Sequence, residues 1–178
     1  KVEGPGFINI SLKNETFKSI ISSIFKAGEY YGSTKKNKKY NIEFVSANPT
    51  GPMHVGHCRG AIYGDVIANL LKFNGNEVTK EYYINDYGTQ IANFTKSVFL
   101  RIRELKYNEK FVKKEDLYPG DYVVDIAKKI IKENDQNKYE DFDKSFDDLS
   151  VISLQHSMNL IKLDLKSLGI DHDNFFSE

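Results

Sequence analysis

The chain has 178 residues, and its 25 lysine and arginine residues balance 25 aspartate and glutamate residues, so the formal net charge is zero. This balance argues against a protein that coats nucleic acid through bulk charge, although a local basic patch remains compatible with it. The single cysteine excludes a disulfide framework within the chain. The hydrophobic content of 40% is typical of a folded protein, and the sequence has neither an apolar run of membrane-spanning length nor a signal-peptide pattern, so we expect a folded cytoplasmic protein.

The first part of the chain predicts a strand, a helix and an exposed loop. Residues 4–12 (GPGFINISL) alternate between polar and apolar side chains, as a strand does. Residues 15–27 carry apolar side chains at helical spacing, and Gly28 is placed to end that helix. The lysine-rich residues 30–40 that follow predict a solvated loop or linker.

A strand, a helix and a second strand follow, over residues 41–47, 53–74 and 77–84. This order and these lengths are typical of a βαβ unit, which places its two strands in a parallel sheet. The helix carries an apolar stripe that we expect to face the sheet, formed by Val55, Ile62, Val66, Leu70 and Phe73. The predicted fold class is therefore α/β.

Beyond Asp86 the pattern is helical, over residues 91–105, 122–133 and 149–168. Residues 133–148 are acidic and poor in apolar side chains, so we expect a solvated connector there. The last four residues, FFSE, are compatible with the start of another strand. Because the chain does not begin with methionine and opens within a strand pattern, we expect a segment of a longer protein.

The turn between the first strand of the βαβ unit and its helix holds two of the four prolines and two of the four histidines. Pro49 biases Asn48 toward an extended conformation, Gly51 permits a sharp turn, and Pro52 is suited to the first turn of a helix. The helix should therefore begin near Met53, with its free backbone amides at the carboxyl edge of the sheet. Open α/β folds bind ligands at that edge, and anions are favoured at a helix N-terminus.

His54 and His57 are three residues apart, so both can reach phosphate oxygens from the first helical turn, and Gly56 leaves room for a flat ring. The pattern favours a nucleotide-phosphate site. A metal site that includes Cys58 and a purely structural helix start are the alternatives. A His-x-Gly-His pattern also fits a small nucleotidyltransferase.

The flanks of this turn decide among these readings. EFVSANPTGPMHVGHCRGAIYGDVIANLL (43–71) resembles the signature of the arginyl-tRNA synthetases, a class I family whose HIGH motif would read HVGH here. The resemblance continues through NEVTKEYYINDYGTQI, and more loosely through YPGDYVVDIAKKI and IKLDLKSLGIDHDNFFSE. The family's Lys-Met-Ser-Lys-Ser-like loop, the second half of its nucleotide-binding fold and its anticodon-binding domain have no counterpart in this sequence.

The resemblance implies a domain organisation and a reaction. Residues 1–40 would close the family's N-terminal domain and form a linker, and residues 41–90 would be the first half of a Rossmann-like catalytic domain with the HVGH motif. Residues 91–178 would be a helical insertion that returns toward the catalytic sheet. The implied activity is that of an arginine–tRNA ligase, which forms arginyl-adenylate from arginine and ATP with Mg²⁺ and transfers arginine to tRNA(Arg). We expect a monomer, and a non-catalytic RNA-contacting fragment is the alternative. Lysines 35–39 could contact the tRNA backbone, although a solvated loop is the simpler expectation.

The resemblance also implies roles for individual residues. His54, Gly56 and His57 would contact ATP, with the two histidines as the catalytic pair. The arginine substrate would be held by Glu43, Ser46 and Asn48. The rim of the active site would include Asn85, Asp86 and Gln90, although Asn-Asp is also ordinary turn chemistry and Gln90 could cap the next helix.

The chemistry of arginine supports the role of Glu43 independently. A guanidinium group stays protonated and offers a fork of donors, so an arginine site needs a carboxylate. A glutamate within the apolar run IEFVS is costly unless it has a partner, which would be the ligand or, alternatively, a lysine of the protein. In a regular strand Glu43 and Ser46 point to opposite faces, so a twist or bulge near Val45 is needed for both to face one ligand.

Overall fold

The structure is a computed structural model that describes residues 2–134 and 139–178. Its strands are β1 (Val2–Glu3), β2 (Phe7–Ile8), β3 (Lys39–Glu43), β4 (Glu77–Ile84) and β5 (Asn174–Ser177). Its helices are α1 (Asn14–Ala27), α2 (Val55–Phe73), α3 (Thr89–Tyr107), α4 (Asp121–Glu133) and α5 (Phe142–Ser167), with a 3₁₀ turn at Gly28–Tyr30. None of the helices in the described ranges is long and apolar enough to cross a membrane.

The main sheet is parallel and has the strand order β3-β4-β5. Strand β3 pairs with β4 from Lys39 opposite Glu77 to Glu43 opposite Glu81, and β4 pairs with β5 from Glu81 opposite Asn174 onward. The predicted α/β class, with a parallel sheet and a helical part, is confirmed. The strand predicted at the end of the sequence is β5, which runs beside β4.

Strand β3 is shorter than predicted, because residues 44–47 leave the strand. Val45 and Ser46 have backbone φ angles of 69° and 41°. Such left-handed conformations cannot continue a β ladder, and they are uncommon for a β-branched residue such as valine. The break in the strand near Val45, which Glu43 and Ser46 need in order to face the same side, is therefore present.

The buried face of α2 differs from the predicted one. Ile62 is 50% exposed, and the other four members of the predicted stripe are also exposed. The buried residues of this helix are instead Ala61, Gly64 and Ala68. A Cβ atom on Gly64 would overlap the ring of Phe44, so the helix lies too close to the sheet edge for a large side chain on that face.

Helices α3, α4 and α5 enclose a core of their own. Its fully buried members include Phe94, Val98, Ile102, Ile126, Ile130 and Leu149. A second cluster, which includes Phe44, Ala61, Tyr82, Met158, Ile161 and Leu165, joins α5 to α2 and the sheet. Because α5 contributes to both clusters, it ties the helical part to the strands that carry the candidate site.

The prediction of a solvated connector over residues 133–148 is wrong for most of the residues in this range that the structure describes. Helix α5 begins at Phe142, where the carboxylate of Asp141 accepts a hydrogen bond from the Lys144 amide at 3.1 Å. Tyr139 is only 1% exposed and belongs to the helical core. Residues 135–138 of the connector lie outside the described residues. The first turns of α5 were not predicted because most of their residues are charged, and the few apolar ones are those that face the core.

The N-terminal region packs less than the rest. The strand predicted over residues 4–12 is reduced to Phe7–Ile8, which pairs with Val2–Glu3 in a small antiparallel hairpin. Helix α1 has no buried residue. Residues 35–38 are exposed, as expected for a solvated loop, and their backbone contacts the turn between α2 and β4. Whether lysines 35–39 contact RNA stays a prediction, as does the domain division at residues 40 and 90.

Candidate active site at the start of helix α2

The first turn of α2 is closed by its two histidines. His54 is the N-cap residue, and its Nδ1 accepts hydrogen bonds from the amides of Gly56 at 3.1 Å and His57 at 3.4 Å. In return, Nδ1 of His57 accepts from the His54 amide at 3.4 Å. This is a capping box built from imidazoles in place of the usual hydroxyl and carboxylate. The helix begins two residues later than the predicted Met53.

The caps determine which edge of each imidazole is available to a ligand. Because both Nδ1 atoms accept from the backbone, the neutral rings carry their protons on Nε2, which is then the free donor. The two rings are stacked, with centroids 3.7 Å apart and an angle of 16° between their planes. Burial, together with the neighbouring His54, lowers the pKa of His57, so His57 is neutral at pH 7.

Gly56 is needed for this cap. A Cβ atom at this position would lie 3.0 Å from Cε1 of His54, a tighter contact than nine in ten real Cβ contacts. The sequence predicts room for a flat ring at Gly56, and in this structure the ring of His54 lies against the Gly56 backbone.

The histidines line a cavity of about 440 Å³. Its walls come from the loop before α2 and from three side chains of the helical part: Asn48, Thr50, Gly51, Pro52, Met53, His54, His57, Gln90, Tyr118 and Tyr122. Four of the predicted site residues, Asn48, His54, His57 and Gln90, therefore meet around one space. Asn48 and Gln90 are also joined directly, since Nδ2 of Asn48 donates to Oε1 of Gln90 at 2.5 Å.

Glu43 and Ser46 lie beside this cavity but do not line it. The hydroxyl of Ser46 donates to Oε1 of Glu43 and accepts a hydrogen bond from the Tyr83 amide at 3.1 Å. Glu43 is exposed, so the expectation of a costly buried charge is wrong. Within the described residues Glu43 has no lysine partner, and its carboxylate stands at the carboxyl end of β3 with Ser46 folded back onto it.

Asn85 and Asp86 follow β4 but do not line the histidine cavity. Asp86 accepts a hydrogen bond from the Ser177 hydroxyl at 2.5 Å and lines a cavity of about 480 Å³ formed mainly by α5. With its amide oriented to suit its neighbours, Asn85 donates to the Tyr87 carbonyl and the Glu178 carboxylate. Of the three predicted rim residues, only Gln90 lines the histidine cavity.

The described residues contain no group of three or more histidine, cysteine, aspartate or glutamate side chains arranged to hold a metal ion. The histidine pair with Cys58 is therefore not assembled as a metal centre within this part of the chain. Both histidines and the loop at the N-terminus of α2 instead line the same cavity, and a helix N-terminus favours an anionic ligand.

Comparisons with known proteins identify the family of this chain. The family described as tRNA synthetases class I (R), catalytic domain, matches residues 20–170. The chain belongs to this family. It is 58% identical over 98% of its length to an arginine–tRNA ligase of Pelagibacter ubique, and 45% identical over 99% to that of Anaplasma phagocytophilum. A solved arginyl-tRNA synthetase structure from Campylobacter jejuni is similar with a TM-score of 0.82, at 30% identity over 93% of the chain.

The chain spans about a third of the length of these relatives: 31% of the Pelagibacter protein, 30% of the Anaplasma protein and 37% of the Campylobacter chain. The predicted membership of the arginyl-tRNA synthetase family and the predicted class I catalytic fold are confirmed. The activity of the whole protein remains a proposal.

In this class I tRNA synthetase chain, sequence reasoning missed four residues. Three of them hold the loop before α2 by hydrogen bonds: Tyr82 from β4, Tyr122 from α4 and Asp164 from α5. The fourth, Tyr118, follows α3 and lines the histidine cavity. Tyr118 and Tyr122 flank Pro-Gly-Asp in YPGDY, and that short aromatic motif is the only local signal that pointed to them. Nothing near Asp164 in the sequence distinguishes it from an ordinary exposed helical carboxylate.

Proposed function

We propose that this chain supplies the first half of the active site of an arginine–tRNA ligase. The observation that carries the proposal is the histidine cavity, in which two imidazole donors and the N-terminus of α2 meet at the carboxyl edge of a parallel sheet. Curated relatives that match nearly the whole chain are named arginine–tRNA ligases, which supports arginine and tRNA(Arg) as the partners.

ATP would bind with its phosphates toward α2. The Nε2 atoms of His54 and His57 would donate to phosphate oxygens, and the backbone amides near Gly56 would add the positive end of the helix dipole. Mg²⁺ would arrive on the ATP phosphates, because magnesium is commonly bound through substrate phosphates and a few carboxylates, without a dedicated protein cage. Residues 2–134 and 139–178 hold no cluster of carboxylates or histidines that would form such a cage.

Arginine would bind at the carboxyl end of β3. The Glu43 carboxylate would accept from the guanidinium or the α-amino group, both of which are cations that a lone exposed carboxylate attracts. Ser46, which is already bonded to Glu43, and Asn48, at the mouth of the histidine cavity, would contact the amino and carboxylate end of the substrate. This placement puts the arginine carboxylate beside the ATP phosphates.

The reaction would then need no covalent enzyme intermediate. An oxygen of the arginine carboxylate attacks the α-phosphorus of ATP, and the bond from that phosphorus to the bridging oxygen breaks, which releases pyrophosphate. A hydroxyl of the terminal tRNA ribose then attacks the arginyl carbonyl carbon, and AMP leaves. The protein contributes alignment and stabilisation of the charge that develops on the phosphate oxygens.

The test is arginine-dependent exchange of labelled pyrophosphate into ATP by the complete gene product, in the presence of tRNA(Arg), which the family resemblance implies is needed for activation. We expect exchange only when arginine, ATP and tRNA are all present. A small nucleotidyltransferase would exchange without arginine, and a non-catalytic RNA-contacting protein would bind tRNA without exchange. A cytoplasmic location and a monomeric state belong to the same proposal, and fractionation and light scattering would check them.

A further inference from the structure

The loop that precedes α2 is held by side chains that are distant in sequence. Three hydrogen bonds connect it to the three helices of the helical part: Asn48 to Gln90 at 2.5 Å, Thr50 to Tyr122 at 2.9 Å and Met53 to Asp164 at 2.9 Å. A fourth bond, from the Tyr82 hydroxyl to the Ala47 carbonyl at 2.8 Å, holds the start of the loop to β4. The conformation of the loop is therefore determined mainly by contacts from outside it.

Tyr122 contacts the loop through both its hydroxyl and its ring. Its hydroxyl donates to the Thr50 carbonyl, and its ring packs directly against Gly51, where a Cβ atom would lie 2.9 Å from Cζ. On its other side, a Cβ atom on Gly120 would lie 2.5 Å from Cε1 of the same ring. Two glycines thus allow one aromatic side chain to press on the loop.

The hydroxyl of Tyr122 is a dependable donor. Burial raises the pKa of Tyr122 to about 12, with a further contribution from Tyr118, so the phenol stays protonated across the working pH range of enzymes. A carbonyl such as that of Thr50 can only accept. In this hydrogen bond Tyr122 is therefore always the donor and Thr50 the acceptor, and the phenol does not lose its proton at the pH values at which the site would operate.

We propose that Tyr122 is a positioning residue for amino-acid activation, an inference that rests on the proposed function. Thr50 and Gly51 form the midpoint of the loop between Asn48, which would hold the arginine carboxylate end, and His54, which would hold the ATP phosphates. Tyr122 fixes the curvature of the loop at that midpoint, with its hydroxyl on Thr50 and its ring against Gly51, and so sets the spacing between the two substrates. The helical part of the chain thereby acts on the reaction through the loop, without a direct role in the chemistry.

A positioning role predicts a particular kinetic signature. Each substrate keeps its own contacts when the midpoint loosens, so the KM values should change little. The alignment of the carboxylate with the α-phosphorus should worsen, and displacements of about 1 Å are known to cost up to about 100-fold in rate. A residue that only packs the helical part would instead change the stability and leave kcat unaltered.

The experiment compares Tyr122→Phe with Tyr139→Phe in the complete gene product. Both substitutions remove one phenol hydroxyl from the same helical part. Tyr139 is 1% exposed, lies away from the cavity, and its hydroxyl has no hydrogen-bond partner among the described residues. Arginine-dependent pyrophosphate exchange with tRNA(Arg) present gives kcat and the two KM values, and thermal melting gives the stability.

We expect Tyr122→Phe to lower kcat about fivefold, the ratio that the loss of one ordinary hydrogen bond produces, with KM values for ATP and arginine within about twofold of the wild type. Tyr139→Phe should leave kcat within about twofold. Tyr122→Leu, which also removes the ring that presses on Gly51, should lower kcat about 100-fold.

Three results would overturn the inference. One is a kcat for Tyr122→Phe equal to that of Tyr139→Phe, and another is a loss confined to a raised KM for ATP. The third is a lowered kcat that returns to the wild-type value when the assay temperature is kept well below a depressed melting temperature. Wild-type protein without arginine-dependent exchange would refute the proposed function and this inference together, whereas the other results leave the proposed function standing.

Discussion

Two regions of the chain bury their apolar side chains to very different extents. Helices α3, α4 and α5 enclose a core whose central residues, such as Phe94 and Ile102, are fully buried. Helix α1 buries none of its residues, and α2 buries only small ones, while Ile62 and the rest of its predicted apolar stripe stay exposed. The same helical periodicity thus gives a closed core in one region and an exposed apolar face in the other.

The difference shows that periodicity predicts a helix but not what packs against it. The face of α2 that packs against the sheet carries only alanine and glycine among its buried residues. This face lies so close to Phe44 that even a Cβ atom on Gly64 would overlap the Phe44 ring. The candidate site lies where the two regions meet, since the loop before α2 is bonded to α3, α4 and α5. The predictions below separate the contribution of each region.

The largest effect should come from testing the 178-residue chain by itself. It spans about a third of the length of its relatives, and it would meet the transition-state charge on the α-phosphate from one side only. We expect arginyl-tRNA formation to be at least about 1,000-fold slower than that of the complete gene product, because electrostatic preorganisation is usually the largest catalytic term. Charging within about tenfold of the complete protein would refute this, and weak ATP binding should survive.

The contrast between the two regions can be measured with one matched pair of substitutions. Ile102→Ala in the buried core should lower the free energy of unfolding of the chain by about 2–5 kcal/mol, because it removes buried methyl groups and leaves a cavity. Ile62→Ala on the exposed face of α2 should change it by about 0.5 kcal/mol or less. Denaturant unfolding measures both, and equal effects would mean that the α2 face is covered in the folded chain.

His57→Ala in the complete gene product should reduce arginine-dependent pyrophosphate exchange about 100-fold, as the loss of one charge-stabilising donor typically does. The protein should still fold, because one residue of the capping box is a modest part of its stability. His156→Ala is the matched control, since His156 is bonded to Glu133 at 3.1 Å and does not line the cavity. Unchanged exchange in the His57 variant would remove the phosphate role from this residue.

Glu43→Gln should raise the KM for arginine by roughly 10-fold to 100-fold and leave the KM for ATP nearly unchanged. The amide keeps the shape but loses a charge-assisted contact worth about 1.5–3 kcal/mol. Glu81 sits opposite Glu43 in the sheet register, so Glu81→Gln is a control of the same type on the adjacent strand. If the two KM values rose together, Glu43 would be a structural residue.

The smallest predicted effect is a pH dependence of stability that comes from His172. This ring contacts Phe44, Tyr82 and Phe175, and both of its nitrogens lack a hydrogen-bond partner in the described residues. Burial lowers the pKa of His172 below 6.5, against the opposing influence of the Phe44 backbone and the Asp65 and Asp173 carboxylates. The nearby Lys80 ammonium acts in the same direction as burial.

Because the folded pKa of His172 is depressed, the unfolded chain binds the proton first as the pH falls. Stability from this group is therefore fully present above about pH 6.5 and is lost as the pH falls through and below that value. His172→Phe should keep the aromatic packing and flatten this acid-side decline in thermal melting between pH 7 and pH 5. A decline as steep as that of the wild type would assign the effect to other groups, of which His57 is the first candidate.

The amount that could be predicted from the sequence differed between neighbouring residues of the site. The turn before α2 could be predicted because Pro49 and Pro52 restrict their own backbone angles and Gly51 permits a sharp turn. The three-residue spacing of the two histidines was enough to predict that they share the first helical turn. A twist or bulge near Val45 was predicted as the condition for Glu43 and Ser46 to face one ligand, but neither the left-handed backbone at Val45 and Ser46 nor the hydrogen bond between Ser46 and Glu43 could be predicted. The resemblance implied that Asp86 lies on the rim of the active site, whereas in the structure Asp86 lines a different cavity from the histidines.

The sequence by itself determined the βαβ unit, the parallel sheet, the position of the HVGH turn and the family to which the chain belongs. These properties depend on local backbone preferences and on motifs that are contiguous in the chain. Only the tertiary structure decided which face of α2 is buried, how α5 begins among acidic residues, and that Tyr122 and Asp164 hold the loop before α2. The two loop contacts join residues that are 72 and 111 positions apart in the chain. The buried face of α2 depends on the close approach of Gly64 to Phe44, and the start of α5 depends on the packing of Phe142 against the helical core. Local sequence patterns do not specify such tertiary contacts.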